Sequence, residues 1–331
     1  MRRVASLLGA AVLAGLGLYR AICEPARNVA NPKAPNVILV TIDTLRADRL
    51  GVYGSARKLT PNLDALAADG VLFEDAFCVM PVTIPAHASI LFGTWPKILG
   101  STSNHVRIAA GGSAAYLPKE LWNAGYRTAA FLSADHLGNS LDRFAGFETL
   151  DFPWEDRTVD ETLALARRWL DEHGDAPFFL WIHLWDPHAP YRLHPVFGEA
   201  VRRGLSDRFE ARHGFVEPGV LDAEEVRTMI DLYDNEVAFL DHRLGEFLAF
   251  LRGTPLWQET LLAVTADHGE TLDELLAAHG YAFDHGEYLH DSQIRVPLIL
   301  RLPAGAHGGA TVDGAVSHVD LMPTILDALG M

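Results

Sequence analysis

The chain has 331 residues, 49% of them hydrophobic, enough for a sizeable core in one large α/β domain or two smaller ones. A formal net charge of -16 argues against a nucleic-acid partner and against anionic membrane surfaces, yet is no bar to an anionic substrate where a bound metal reverses the local field. Two cysteines, Cys23 and Cys78, make no disulfide framework.

Arg2 and Arg3 precede an apolar stretch from Val4 to Leu18. A basic segment followed by a short apolar one is the pattern of a secretory signal, and the stretch is short for a membrane span of about 20 residues. Residues 1–22 are therefore expected to be a signal peptide or an uncleaved membrane anchor, with the protein exported, periplasmic or membrane-anchored. A mispredicted start in a cytoplasmic protein is the plainer alternative. Residues 23–35, with Pro25, Pro32 and Pro35, read as a linker, and residues 36–331 as the folded domain.

Val37–Ile42 is a short apolar run of the kind buried on both faces of a parallel sheet. Thr60-Pro61-Asn62 opens a helix through Ala68, with Leu63, Leu66 and Ala67 on one side and Gly70 as the stop. Further strands are expected at Arg127–Ser133, Phe178–Leu184, Leu261–Ala266 and Val296–Leu300, and a helix at Asp160–Glu172. Ala223–Leu251 is a longer helix whose apolar stripe, from Val226 through Tyr233 to Leu248, reads as core packing. Strands alternating with helices predict an open α/β sheet covered on both faces.

In such a sheet, function sits at the carboxyl ends of the strands. The first run ends in Asp43, the run Phe178–Leu184 in Trp185-Asp186-Pro187-His188, and the run Leu261–Ala266 in Asp267-His268-Gly269-Glu270. One Asp after a strand is ordinarily a cap or turn residue. Three loaded strand ends favour a metal site, because charge beside a buried strand is costly without a partner. In Pro81-Val82-Thr83-Ile84-Pro85-Ala86-His87, Pro85 suits a first helical turn and Thr83 stands at the helix start. Thr83 reads either as an N-cap or as a nucleophile placed where free N–H groups favour an anion.

The stretches PNVILVTIDTLRADRLGVYG, LTPNLDALAADGVLFEDAF and TIPAHASILFG resemble the sulfatases of the alkaline phosphatase superfamily. So do WIHLWDPHAPY, VTADHGE, HGEYLHDSQIRVPLIL and VSHVDLMPTILDALG, in the family's order, from Asn36 to the C-terminus. The resemblance implies an alkaline-phosphatase-like, mostly parallel mixed sheet, here without the usual C-terminal subdomain. It implies a metal bound by Asp43, Thr83, Asp267 and His268, and catalytic roles for Thr83, His87, His188 and His285, with His183 and His279 as weaker candidates. Typical sulfatases carry a second Asp where this chain has Thr44. They convert Cys or Ser to formylglycine at the position of Thr83, with Arg at the position of His87, so this chain is expected to use unmodified Thr. Asp-His in place of Asp-Asn favours one divalent ion of the Mn or Zn type, with Ca as the alternative.

These features predict hydrolysis of a small-molecule, glycan or lipid ester of phosphate or sulfate through a Thr83 intermediate, phosphate esters favoured. Two other readings are a membrane-associated phosphoglycerol or phosphoethanolamine-type transferase and an inactive sulfatase-like binding protein.

Overall fold

The structure, a computed structural model, describes residues 28–105, 115–140, 146–194, 214–215 and 220–331. In chain order its strands are β1 (Asn36–Ile42), β2 (Val71–Phe73), β3 (Ala76–Phe77), β4 (Arg127–Leu132), β5 (Thr149–Asp151), β6 (Phe178–Leu184), β7 (Gly214–Phe215), β8 (Thr260–Ala266), β9 (Tyr281–Ala282), β10 (Arg295–Val296), β11 (Leu298–Arg301), β12 (Ala310–Val312) and β13 (Val316–Ser317). Eight of them form one sheet in the order β12-β2-β11-β8-β1-β6-β4-β5. From β8 to β5 all neighbours are parallel, while β11 is antiparallel to both β8 and β2. Every residue of β1, β6 and β8 is buried, which requires cover on both faces.

That cover comes from two groups of helices. Pro61–Ala68, Val159–His173 and Ala223–Arg252 pack together on one side; Thr83–Phe92, Leu117–Asn123 and His318–Ala328 pack on the other. The apolar stripe of Ala223–Arg252 is buried from Met229 through Tyr233 to Leu248, with Val226 and Ile230 half-buried. The helix opens on a capping box in which Asp222 accepts from Glu224 N and Glu225 N.

Register decides where function can assemble. Ile42 lies level with Leu184 on one side and Ala266 on the other, so three adjacent parallel strands stop in line. The backbone carries that alignment one residue further, with Asp43 N donating to Leu184 O at 2.9 Å and Asp267 N to Ile42 O at 3.1 Å. Asp43 and Asp267 thus emerge side by side at the carboxyl edge.

Two local expectations are corrected. Val296–Leu300 is not one strand: β10 pairs with β3 in a separate small sheet, and β11 joins the main sheet. Pro297 stands between them and has no N–H for a continuous ladder. Thr83 is not an N-cap either. It is the first residue of the helix Thr83–Phe92, Val82 holds the cap position, and neither supplies a side-chain cap. The cap arrives from a distance, as Ile84 N donates to Asn104 Oδ1 at 2.9 Å. The expected signal or anchor at residues 1–22 lies outside the described residues. Among the described residues no helix is long and apolar enough to cross a membrane.

Candidate metal centre and active site

Asp43, Asp267 and His268 converge at the carboxyl edge, all fully buried. His268 Nε2 lies 3.7 Å from Asp43 Oδ1, 3.5 Å from Asp267 Oδ2 and 3.5 Å from Thr83 Oγ1. The histidine's other nitrogen, Nδ1, is 3.0 Å from Gly269 O. A carbonyl can only accept, so Nδ1 carries the proton and Nε2 presents its lone pair to the two carboxylates and the hydroxyl. Asp267 Oδ1 accepts from Thr44 N and His268 N. Asp267 Oδ2 and both oxygens of Asp43 have no hydrogen-bond partner among the described residues.

Buried carboxylate oxygens without partners are costly unless a cation meets them. Burial, and then the charge of Asp43, pushes the Asp267 carboxyl well above its ordinary range. Burial also pushes Asp43 up, but His188, His183 and His268 outweigh it and hold that carboxyl well below its usual range. Two carboxylates this close ionise together only with positive charge between them. The residues present therefore fit a divalent ion, and a donor set that includes imidazole suits a transition metal better than calcium.

Several neighbours hold this arrangement. Thr44, directly after Asp43, has φ 54°, a left-handed backbone that a β-branched residue adopts only under constraint. The constraint is Tyr233 on the long helix, whose hydroxyl donates to Thr44 O at 2.7 Å and accepts from Arg46 N at 3.1 Å. Gly269 is small because it must be: a Cβ there would lie 2.1 Å from Ser292 O. Within the helix that Thr83 opens, His87 Nδ1 donates to Thr83 O at 2.8 Å. Its Nε2 is then the acceptor for Thr41 Oγ1 at 2.9 Å, and Thr41 Oγ1 accepts in turn from Trp181 Nε1 at 2.9 Å. Burial, followed by His183, pushes His87 well below its ordinary value, so the imidazole is neutral.

The outer wall carries two more histidines. The His285 ring lies 4.3 Å from that of His268 and 5.3 Å from that of His188. Its Nδ1 is 3.3 Å from Glu270 Oε1, while Tyr191 donates to Glu270 Oε2 at 3.2 Å. Burial lowers His285, but Glu270 outweighs it and holds it up at about 9. His188 is different: burial holds it down at about 4, and its Nδ1 donates to Ala189 O at 2.6 Å, leaving Nε2 as an acceptor.

Residues 35–331 match the family model described as Sulfatase. The chain belongs to the sulfatase family. It is 25% identical over 89% of its length to an ulvan-active sulfatase of Formosa agariphila, of which it covers 61%. It is 27% identical over 89% of its length to the uncharacterized sulfatase YidJ of Escherichia coli, covering 67%, and 26% identical over 97% to an N-acetylgalactosamine-6-sulfatase of Rattus norvegicus, covering 65%. The chain thus spans roughly three fifths to two thirds of the length of these relatives. Among solved structures, a phosphonate monoester hydrolase of Agrobacterium radiobacter shares the fold, with a TM-score of 0.70, 23% identity and coverage of 89% of this chain and 74% of that one.

For a sulfatase-family chain, the sequence-predicted residues are gathered well. Asp43, Thr83, Asp267 and His268 meet directly, and His188 and His285 form the adjoining wall. His87 lies on the same helix as Thr83, one turn on, with both nitrogens in hydrogen bonds. His279 is the last residue of the short helix Leu276–His279, its ring tilted against Tyr288 at 5.2 Å and not against the His268 cluster. Asp186 is a helix partner, accepting from Val159 N at 2.8 Å. No site role is read from the sequence for Glu270, Tyr191, Tyr233 or Asn104, Tyr233 reading only as core. Only Glu270 carries a signal in the sequence, as the second acid after a buried strand.

Proposed function

We propose that the chain is a metal-dependent hydrolase of phosphate or sulfate esters with Thr83 as its nucleophile, and that phosphate esters are the better substrates. The observation that carries the reading is the placement of Thr83 Oγ1: free of any capping duty, at a helix N-terminus, 3.5 Å from His268 Nε2 and beside carboxylate oxygens that lack partners. Asp43, Asp267 and His268 would hold one divalent ion, Mn or Zn in preference to Ca. When bound, the ion supplies positive charge that lowers the pKa of the Thr83 hydroxyl and offsets charge on the transferred group.

The remaining roles belong to the protein's own groups. Thr83 Oγ1, its proton released to bulk water, attacks phosphorus or sulfur in line and displaces the alcohol, and the later attack of water releases Oγ1 again as the leaving group. His285, backed by Glu270, donates a proton to the leaving oxygen. His188, neutral and with Nε2 as acceptor, takes a proton from the water that attacks the threonyl ester. His87 positions the nucleophile through the Thr83 carbonyl. A plain threonyl ester has no aldehyde route for expelling sulfate and must wait for water, a route that phosphate esters tolerate better.

Relatives named for ulvan and for N-acetylgalactosamine 6-sulfate support a glycan ester as one class of substrate. Lipid and small-molecule esters are the others. With residues 1–22 as signal or anchor and 23–35 as linker, the enzyme would act outside the cytoplasm. The test is a panel of phosphate mono- and diesters, phosphonates and aryl sulfates with Mn and Zn, followed by rapid quench and peptide mapping. A modified Thr83 peptide and faster phosphate ester cleavage are expected. Full activity in Thr83→Ala, or strong preference for aryl sulfates, overturns the mechanism.

A further inference from the structure

We infer that Glu236, with Asn235 beside it on the long helix Ala223–Arg252, is a positioning residue for the outer wall of the site. It holds the segment that carries Tyr191, and through Tyr191 it sets Glu270 behind His285. This rests on the reading of His285 as the proton donor and names what keeps that donor in place.

The wall is built on an irregular segment. Residues 186–194 follow β6 and contribute His188 and Tyr191. Pro187 and Pro190 have no N–H, so the stretch cannot tie itself down with a ladder of its own and needs outside partners. At its start Asp186 Oδ2 accepts from Val159 N at 2.8 Å. At its end the long helix takes over. Glu236 Oε1 accepts from Arg192 N, and Glu236 Oε2 from His194 Nε2 at 2.9 Å. Asn235 Oδ1 accepts from His194 N at 2.6 Å, and Asn235 Nδ2 donates to His194 O at 3.2 Å. The His194 ring stacks on Phe239 at 3.6 Å, within 5° of parallel.

Asn235 and Glu236 are buried among Leu232, Val237 and Leu240. A carboxylate kept there costs desolvation that an apolar side chain would avoid. What it does that an apolar residue could not is hold polar groups of residues 192 and 194 at once. The hold is one residue from Tyr191, whose ring packs edge-on against Tyr233 at 5.5 Å. The Tyr191 hydroxyl donates to Glu270 Oε2 at 3.2 Å, and Glu270 Oε1 lies 3.3 Å from His285 Nδ1. A shift at Arg192 N is therefore passed to the group behind the proton donor. Support of the fold alone is the rival role, and it predicts no dependence on the leaving group.

The experiment uses the full chain at Mn concentrations that saturate every variant, with phenyl and 4-nitrophenyl phosphate, and the matching sulfates, as probes. A nitrophenolate leaves without a proton, whereas a phenolate gains from one. Glu236→Ala should lower kcat on the phenyl ester by about 10- to 100-fold, the cost of a misplaced group, and on the 4-nitrophenyl ester far less, with KM little changed. Glu236→Gln keeps an acceptor for Arg192 N and should recover most of the loss. Asn235→Ala, which frees only His194, should show the same split more weakly, and tests the role even where Glu236→Ala does not fold. Tyr191→Phe should reproduce the split, and its double variant with Glu236→Ala should be no slower than the slower single variant. Equal losses on the two esters, or losses that add to those of Tyr191→Phe, in a chain whose His285→Ala variant still shows the split, overturn the role of Glu236 alone. No split in His285→Ala overturns the reading of His285 as proton donor, and this role with it.

Discussion

Tyr233→Phe is the substitution that best separates support of the site from its chemistry. It removes one oxygen and keeps the ring, which is fully buried on the long helix and packs edge-on against Tyr191 at 5.5 Å. That oxygen serves two backbone groups, Thr44 O at 2.7 Å and Arg46 N at 3.1 Å, both in buried residues. A net hydrogen bond is worth about 1 kcal/mol, and a buried group left unsatisfied costs about 1–3 kcal/mol, so the two together predict a loss of roughly 2–4 kcal/mol. Thr44 at φ 54° follows Asp43 directly, so its release should also loosen the Asp43 carboxylate. The assay is denaturant unfolding with and without metal, alongside metal titration. Stability should fall by the stated amount, metal affinity should fall with it, and turnover of the fully loaded enzyme should change little. A loss below about 0.5 kcal/mol would mean that the hydroxyl is not what holds Thr44, and the account of the strained turn would fail.

Three other outcomes follow from the same contacts. Thr83→Ala should abolish turnover while lowering stability by no more than about 1 kcal/mol, because Oγ1 caps nothing; equilibrium unfolding and a turnover assay check both halves. Asn104→Ala should remove the remote cap on Ile84 N and lower stability by about 1 kcal/mol, read from the unfolding midpoint. Asp186 is pushed up from 3.8 to about 7, by burial first and by the charge of Glu236 second. Its folded value lies above its unfolded one, so its contribution to stability is complete below pH 3.8 and is lost as pH rises through 7. At about 1.4 kcal/mol per pH unit, the wild type should lose a few kcal/mol relative to Asp186→Asn between pH 4 and 7, and parallel unfolding curves would contradict this.

The sheet was legible because β1, β6 and β8 are apolar runs of six or seven residues buried on both faces, a pattern that survives without any partner being known. Asp43 and Asp267-His268 were legible for the same reason: charge directly after such a run stands out. His183 was only a weak candidate, because a histidine inside FFLWIHL reads as part of the strand, and only the register with β1 aims it at Asp43. Tyr233 was read as core, which it is. Its hydroxyl contacts lie 187 and 189 residues away, beyond any local pattern. Thr83 read as either a cap or a nucleophile because helix starts usually recruit the nearest hydroxyl; here Asn104, 20 residues beyond Ile84, takes the capping duty and leaves Thr83 Oγ1 without it. The split at Pro297 could have been anticipated from its missing N–H, but not which sheet each half would join.

The two departures from the family's usual residues make sense as a pair. Resemblance to typical sulfatases implies a carboxylate at position 44 and a guanidinium at position 87, where this chain has Thr44 and a neutral His87. Removing only the carboxylate would leave an excess cation fully buried at position 87 of the Thr83–Phe92 helix; removing only the cation would leave three crowded carboxylates. Removing both preserves the balance, and two carboxylates, Asp43 and Asp267, match the charge of one divalent ion. His268 supplies an imidazole to that donor set without adding charge. A donor set richer in nitrogen and poorer in oxygen then moves metal preference away from calcium. Thr83 as the proposed nucleophile fits the same shift, since an unmodified hydroxyl depends on a strongly polarising ion more than a hydrated aldehyde does.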